Sequence, residues 1–178
     1  MYPKHPTSMA ASLMSYKSGG RLFKEAEAAK SVPKSESVAI KVQEDLRAYW
    51  LNSGKTPFDL LTELEFGYAV IYKKFHYKTV LEKPQFHTWS KYLEDFNAKY
   101  PDQKTAMLEA LTRKFDDSDV ARMIQVAKAE GSTRNIAAKL ETAQLEMWWS
   151  SGKSAEDGLK LLWINFDPGF TTAPLVHG

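Results

Sequence analysis

The sequence predicts an all-α fold, a helical bundle of about seven to eight helices, on the basis of three observations. From residue 37 onward, apolar residues recur every three or four positions, as in the stripe of Val42, Leu46 and Tyr49. This spacing is typical of amphipathic helices. The strict alternation of apolar and polar residues that indicates strands is nearly missing. Glycine and proline fall between the stripes, where helices are expected to end and begin.

The predicted helices follow one another in order. After the first stripe the apolar positions are Leu61 and Leu64; Tyr68, Ile71 and Phe75; Phe86, Trp89, Leu93 and Phe96; Leu108, Leu111 and Phe115; Val120, Met123 and Ala127; Ile136, Leu140, Ala143 and Met147. Residues 1–37 mix Ser, Gly, Pro, Lys and Ala without a sustained period, so we expect a flexible leader containing at most a short helix around RLFKEAEAAK. We expect one helical module at 38–150, a C-terminal cap at 151–165 and an irregular tail at 166–178.

Composition restricts the class of protein. With 178 residues and 43% apolar content the chain is long enough to bury a core. Cysteine is absent, which excludes disulfides and thiolate metal sites. The net charge is only +2, and residues 1–37 hold six Lys or Arg against three acids, so the folded body lacks the basic surface of a typical nucleic-acid binder. No apolar run approaches the roughly 20 residues of a membrane helix.

Two short segments, LNSGKTP and WSSGKSA, end like a phosphate-binding loop. Such a loop needs another glycine five positions before the GK pair and a preceding strand. Tyr49 and Met147 occupy those positions, and each follows a helical pattern. Gly54 and Gly152 are instead typical of left-handed helix ends, with Thr56 or Ser154 capping the next helix. The sequence therefore predicts two helix-to-helix joints and no nucleotide site.

The two joints belong to a repeat with an offset of 98 residues. DLRAYWLNSGKTPFDLLTEL aligns with QLEMWWSSGKSAEDGLKLLW, and the match is clearest from Trp50 against Trp148 onward. A period of this length indicates that the chain completes one helical module and opens a second.

Three further segments resemble the motifs of a known family. FHTWSKYLEDFNAKYPDQK is similar to the W motif of the WY-domain effectors, the RxLR-type effectors of oomycete plant pathogens such as Phytophthora. LTRKFDDSDVARMIQVAKAEGSTRNIAAKLE resembles the Y motif, and KLETAQLEMWWSSGKSAEDGLKLL resembles the L motif of tandem LWY modules. The resemblance covers about residues 38 to 165. It implies a WY/LWY helical bundle in which Trp89 packs against the Y-motif aromatic, here Phe115 in place of the usual Tyr, and in which residues 151–165 begin a second L motif.

The resemblance also implies a function. Proteins of this family are secreted by the pathogen and act in the host cytoplasm or nucleus, where they suppress immunity by binding host plant proteins. Among LWY relatives the partners include the scaffold subunit of a type 2A protein phosphatase, ubiquitin ligases, and trafficking or autophagy proteins. No R-x-L-R or acidic E-E-R signature precedes the domain, so we expect the secretion and translocation segment to be absent from this sequence. We therefore expect a non-enzymatic interaction protein.

The candidate site residues are structural or partner-binding rather than catalytic. No histidines are spaced as i,i+4 metal ligands, and we expect no metal, no cofactor and no catalytic residue. The predicted core consists of Trp89, Phe115, Phe86, Leu93, Phe96, Leu111 and Met123. Trp148, Trp149 and Trp163 are candidates for contact with a neighbouring unit or a partner, since adjacent helical residues point about 100° apart and Trp148 and Trp149 cannot share one narrow stripe.

Two alternative functions stay open beside the effector function. The first is an RNA-associated silencing suppressor that uses the aromatic, basic segment 68–78. The second is a helical protein with an unrecognised enzymatic pocket.

Overall fold

The structure, a computed structural model, describes residues 8–64, 80–154 and 156–158. Within these residues it contains eight complete α-helices, further helical residues at 156–158, one short 3-10 helix at Pro101–Gln103, and no strand. The helices are α1 (Met9–Met14), α2 (Gly19–Ala29), α3 (Glu36–Asn52), α4 (Pro57–Glu63), α5 (Pro84–Lys99), α6 (Met107–Lys114), α7 (Asp117–Ala129) and α8 (Arg134–Ser150). The all-α prediction is therefore confirmed. None of these helices is both long and apolar enough to cross a bilayer.

The chain divides into two compact units, Met1–Lys114 and Phe115–Gly178. In the first unit α1 and α2 pack on α3, and α4 packs on both α5 and α6. The core of this unit is rich in large side chains, and burying each contributes about 1.5–3 kcal/mol. Its largest fully buried members are Trp50, Trp89, Tyr92, Phe23, Phe86, Phe96, Leu46, Leu60, Leu61, Leu64, Leu81 and Leu111.

The prediction of a flexible leader is wrong for residues 8–37. The short helix expected around RLFKEAEAAK is present as α2, but it is packed rather than mobile, because Leu22 and Phe23 are buried and α2 contacts α3. Gly20, in the segment predicted to be a flexible leader, lies against the end of α4, where an added Cβ would overlap the carbonyl oxygen of Glu63. Its missing side chain permits close helix packing here. Residues 8–37 therefore belong to the first compact unit.

In the second unit α7 packs on α8. The inward side of α7 is apolar, and on α8 the buried residues are Ala137, Leu140, Gln144 and Trp148. These four positions on α8 match the buried positions of α3, which are Ala39, Val42, Leu46 and Trp50, at the same offset of 98. The repeat seen in the sequence therefore continues through the whole length of both helices.

The match extends further back than the sequence showed. α2 begins at Gly19 and α7 at Asp117, again 98 positions apart, and α3 and α8 have the same offset at both ends. At the turn within each pair the hydroxyl of Ser35 donates to the carbonyl of Ala29 over 2.9 Å, and that of Thr133 to the carbonyl of Ala127 over 2.8 Å. The helix pair α2–α3 is thus one copy, and α7–α8 the other, of a single supersecondary unit.

Several expectations fall outside the described residues. These are the stripe of Tyr68, Ile71 and Phe75, the segment 68–78, Trp163 and the tail at 166–178. Of the predicted cap at 151–165, the structure describes 151–154 and 156–158, and residues 156–158 are helical.

Candidate functional site

The two glycine joints have the same backbone geometry. Gly54 and Gly152 have φ values of 68° and 76°, the left-handed conformation that ends a helix most easily at glycine. Before each glycine lies a helix, not a strand. After it, the amide of Lys55 donates to the carbonyl of Trp50 over 3.1 Å, and the amide of Lys153 to the carbonyl of Trp148 over 3.0 Å. The interpretation of GK[S/T] as a helix joint is confirmed.

The same hydroxyl and carboxylate pair caps the helix after each joint. In the first joint the amide of Asp59 donates to the hydroxyl oxygen of Thr56 over 3.2 Å, and that hydroxyl donates to the Asp59 carboxylate over 2.6 Å. In the second joint the corresponding distances between Asp157 and Ser154 are 3.1 and 2.7 Å. Caps of this kind contribute about 1 kcal/mol each, so they fix where the helix starts.

Helix α5 holds the first joint through aromatic donors. The indole N–H of Trp89 donates to the carbonyl of Pro57 over 2.7 Å, and the Tyr92 hydroxyl donates to the carbonyl of Lys55. Just beyond α5, the hydroxyl of Tyr100 donates to the carbonyl of Leu51 over 2.8 Å. Trp89 therefore does more than fill the core, because its polar edge satisfies a buried backbone acceptor.

The sequence reasoning missed Tyr92 and Tyr100. Tyr92 follows Trp89 by three positions and so shares its helix face, which is the signal that could have identified it. Burial of Tyr92 raises the pKa of its phenol well above the usual value of 10.0, so the hydroxyl keeps its proton and remains a donor.

The joint lysines find their acidic partners in different places. Lys55 pairs with Glu63 at the end of α4. Lys153 pairs instead with Asp117, the first residue of α7, over 2.8 Å, and the same carboxylate accepts from the indole N–H of Trp148 over 3.3 Å. The position equivalent to Asp117 in the first copy is Gly19, which has no carboxylate. The repeat therefore keeps the ion pair while changing the helix that supplies the acid.

Adjacent tryptophans at the second joint have opposite environments. Trp148 is buried, with 4% of its surface exposed, whereas Trp149 is 85% exposed. Trp148 lies against the joint and Asp117 and offers no exposed surface to a partner, whereas contact of Trp149 with a neighbouring unit or a partner stays a prediction. Leu145, four positions before Trp149, is also exposed, at 54%. Leu145 and Trp149 form what we call the α8 outer face.

The seven residues predicted as core are all buried. Phe86, Trp89, Leu93, Phe96 and Leu111 lie in the first unit, and Phe115 and Met123 lie in the second. The Phe86 and Trp89 ring centroids are 5.6 Å apart and those of Phe96 and Tyr100 are 4.8 Å apart, with the rings of each pair tilted by 42° and 43°, so α5 and the residue after it carry aromatic rings in tilted contact. The contact between Trp89 and Phe115 that the family resemblance implies stays a prediction.

A hydrogen-bonded trio joins the helices within each copy. In the first copy the amide of Gln43 on α3 donates to the Glu27 carboxylate on α2 over 2.8 Å, and Lys30 pairs with the same carboxylate over 3.0 Å. In the second copy the amide is Gln125 on α7, the carboxylate is Glu141 on α8 and the lysine is Lys128. Glutamate and glutamine have exchanged helices, although the hydrogen bond and the lysine remain.

The trio also changes how its carboxyls titrate. The hydrogen bond from Lys128 lowers the pKa of Glu141 below its usual 4.5, against the opposing effect of burial and with help from Gln125. For Glu27, burial raises the pKa, but the hydrogen bonds from Gln43 and Lys30 outweigh it and the net shift is downward. Both carboxylates are therefore stabilised in their charged form.

Within the described residues no group of three or more His, Asp or Glu side chains is arranged to hold a metal ion.

An open groove lies between α3 and α5, lined by Glu44, Arg47, Leu51, Asp95 and Lys99. An ion pair between Arg47 and Asp95, 3.3 Å long, crosses it. Since this groove is shallow and occupied by paired charges, it marks the contact of α5 with α3 rather than a small-molecule pocket.

Comparison with known proteins gives a consistent set of relatives. No protein-family model matches the chain. The chain is 32% identical over 163 residues to RxLR effector protein PSR2 of Phytophthora sojae, and 30% identical over 164 residues to RxLR effector protein PSR2 of Phytophthora infestans. Each alignment covers 92% of this chain. The chain spans only 23% and 21% of the length of those relatives, respectively.

A solved structure is similar to the chain in both sequence and fold. The crystal structure of PcRxLR12 superposes with a TM-score of 0.72 at 34% identity, covering 93% of this chain and 38% of the other. Similarity over 93% of the chain includes at least part of residues 8–37, consistent with the packed α2. The chain is a homologue of the Phytophthora RxLR effectors, and its all-helical bundle is the fold that the W, Y and L motifs predict.

Proposed function

We propose that the protein is a secreted pathogen effector that suppresses plant immunity by binding host proteins in the cytoplasm or nucleus of the plant cell. The observation that supports this most is the similarity to RxLR effectors over 92% of the chain. The mechanism is recognition by a rigid surface, without catalysis. The buried aromatics of α5 and the capped joints hold the helices in place, and exposed side chains select the partner.

Rigidity has a direct benefit for binding. Association costs conformational entropy for every side chain and loop that must be ordered, and a surface carried on packed helices has already lost most of it. The Trp89 and Tyr92 hydrogen bonds to the first joint, and the Asp117 contacts at the second, serve this purpose. The scaffold subunit of a type 2A protein phosphatase, ubiquitin ligases, and trafficking or autophagy proteins are the candidate partners.

The proposal is tested by expressing the 178-residue chain in plant leaves, with the core-disrupted Trp89→Ala variant as control. We expect the wild-type chain to retain specific host proteins in affinity purification and to reduce the oxidative burst after an immune elicitor. Both effects should be weaker in the variant, because it destabilises the packed scaffold. An unchanged burst, together with no host protein retained above the variant, would contradict the proposed function.

A further inference from the structure

The α8 outer face is an exposed apolar surface at a defined place in the repeat. Leu145 and Trp149 are four positions apart on α8, so their side chains lie on the same side of the helix. They are 54% and 85% exposed. The carbonyl groups of the second joint follow directly, at Trp149 and Lys153. Among the described residues, no side chain of another helix donates a hydrogen bond to either carbonyl.

The first copy shows what covers the equivalent face there. The positions that correspond to Leu145 and Trp149 are Arg47 and Leu51 on α3, and α5 crosses them. Arg47 pairs with Asp95 of α5 over 3.3 Å. The two joint carbonyls of the first copy, at Leu51 and Lys55, both accept hydrogen bonds from tyrosine hydroxyls. The same helix pair is therefore built to accept an aromatic, donor-bearing helix at this position.

The second copy differs from the first in one chemical respect. Leu145 stands where Arg47 stands, so a helix on the α8 outer face would meet an apolar side chain where α5 presents Asp95. A carboxylate buried there would lack its partner, which is costly. Trp149 in place of Leu51 offers a larger flat surface, of the kind that anchors protein contacts. The expected occupant thus resembles α5 but has an apolar residue at the Asp95 position.

We propose that the α8 outer face and the second joint bind an amphipathic α-helix of a host protein. This helix carries an aromatic donor, an apolar residue three positions further on, and a second aromatic donor eight positions after the first, just beyond the end of the helix. The donors occupy the places that Tyr92 and Tyr100 occupy at the first joint. The apolar residue packs on Leu145 and Trp149, the helix-in-groove mode of peptide recognition. The inference rests on the proposed function in naming a host protein as the source of the helix.

A peptide taken from this chain is a direct probe. Residues 84–103 contain α5 and the 3-10 helix after it, and with the change Asp95→Leu the peptide has the predicted pattern. A fluorescent form of the peptide is titrated with the full 178-residue chain, and binding is followed by anisotropy. We expect saturable binding that weakens about tenfold or more when the chain carries Trp149→Ala. The peptide with Asp95 unchanged should bind about tenfold more weakly than the Leu form.

A matched control variant distinguishes binding at the α8 outer face from non-specific binding to exposed aromatic side chains. Tyr16, which follows α1 in the first unit, is 87% exposed, close to the 85% of Trp149. The variant Tyr16→Ala should bind the peptide as the wild type does. Circular dichroism of both variants should match the wild type, because neither side chain is buried. Equal binding by the wild type and Trp149→Ala, or no binding at all, would overturn the inference.

Two other occupants would give different results. If a second copy of this chain covers the face, the wild type will self-associate with rising concentration and Trp149→Ala will stay monomeric in light scattering. If the chain's own tail covers it, deletion of residues 166–178 will strengthen peptide binding. Either result overturns the assignment to a partner helix.

The failure of this inference is distinguishable from that of the proposed function. In affinity purification from plant extract, Trp149→Ala should lose a defined subset of the host proteins that the wild type retains. If the variant retains the same set, the effector function stands and the docking surface is wrong. If the wild type retains no host protein, the proposed function fails, while the peptide titration still decides whether the surface binds a helix.

Discussion

The first and second joints are the same backbone structure in two different settings. At the first joint, α5 covers the backbone, and Trp89, Tyr92 and Tyr100 donate hydrogen bonds to its carbonyl groups. At the second, Trp148 is buried but Trp149 and Leu145 face outward. The comparison shows that a repeated unit can serve as interior in one place and as surface in another. What differs is which side chains lie outside the common buried stripe.

The largest expected effect on stability comes from removing Trp89, which packs against the first joint. Trp89→Ala should lower the free energy of unfolding by about 3–5 kcal/mol, because it removes a fully buried indole and its hydrogen bond to Pro57. Urea denaturation followed by circular dichroism measures it. Trp89→Phe keeps an aromatic ring and isolates the hydrogen bond, with an expected loss of about 1–3 kcal/mol. A midpoint for Trp89→Ala equal to that of the wild type would mean that α5 does not hold the first joint.

The adjacent tryptophans of the second joint provide the next test. Trp148→Ala should destabilise the second unit by about 3 kcal/mol, since it leaves a cavity beside Asp117 and Lys153. Trp149→Ala should change stability by no more than about 0.5 kcal/mol, as for other exposed positions. Hydrogen exchange of α7 and α8 amides reports the difference. Similar protection losses in both variants would show that the outward position of Trp149 is wrong.

Alanine at the joint glycines should have equal effects in the two settings. Gly54→Ala and Gly152→Ala each place a Cβ at positive φ, which costs about 1–2 kcal/mol. Neither added Cβ would meet an atom closer than 4.0 Å, so the cost comes from the backbone alone. Gly131→Ala is the control, because Gly131 has no positive φ and open space around it. It should be neutral or slightly stabilising in thermal denaturation. A much larger loss at one joint than at the other would show that the joints are not equivalent.

Changes in the hydrogen-bonded trio of Glu27, Gln43 and Lys30 should lower stability by a smaller amount. Glu27→Gln in the first copy removes the carboxylate that Gln43 and Lys30 contact, with an expected loss of about 0.5–1.5 kcal/mol. Adding Gln43→Glu recreates the arrangement of the second copy and should restore most of that loss. Denaturation of the two single variants and the double variant forms a double-mutant cycle. Additive losses would indicate that the trio does not act as a unit.

Acid should weaken both copies slightly. The pKa of Glu27 and that of Glu141 lie below their usual 4.5 in the folded chain. Their contribution to stability is therefore present above that value and lost as the pH falls through the lowered folded pKa. We expect a lower urea midpoint at pH 3 than at pH 6, and a shallower decline in Glu141→Gln. An equal decline in the variant would exclude Glu141 as a source of the pH dependence.

Much of the fold could be predicted because its strongest signals are local. The glycine of each joint, the hydroxyl and acid that cap the next helix and the stripe around Trp89 each have a physical cause within a few residues. The backward extension of the repeat could not be read from the sequence. At the offset of 98, Phe23 aligns with Ala121 and Leu46 aligns with Gln144. These aligned positions are all buried, but their residue types differ too much to be recognised as a repeat in the sequence.

The leader was misread for a related reason. Glycines at 19 and 20 usually indicate a flexible segment, and only the position of Glu63 in the fold shows that they permit close packing. The outward face of α8 was predicted in part, since geometry requires Trp148 and Trp149 to diverge. Trp148 is the inward one of the two, and its contact with Asp117, 31 residues away in the sequence, is seen only in the structure.

The exchange of Glu27 and Gln43 for Gln125 and Glu141 has a consequence for assembly of the chain. Helices of the two copies are alike enough to pair wrongly while the protein folds, a known hazard of tandem sequences. If α2 met α8, two carboxylates would face each other, and if α7 met α3, two amides would leave Lys128 without its counter-ion. Each helix of the two copies therefore finds a matching polar partner only on its own mate, which favours correct pairing while the chain folds.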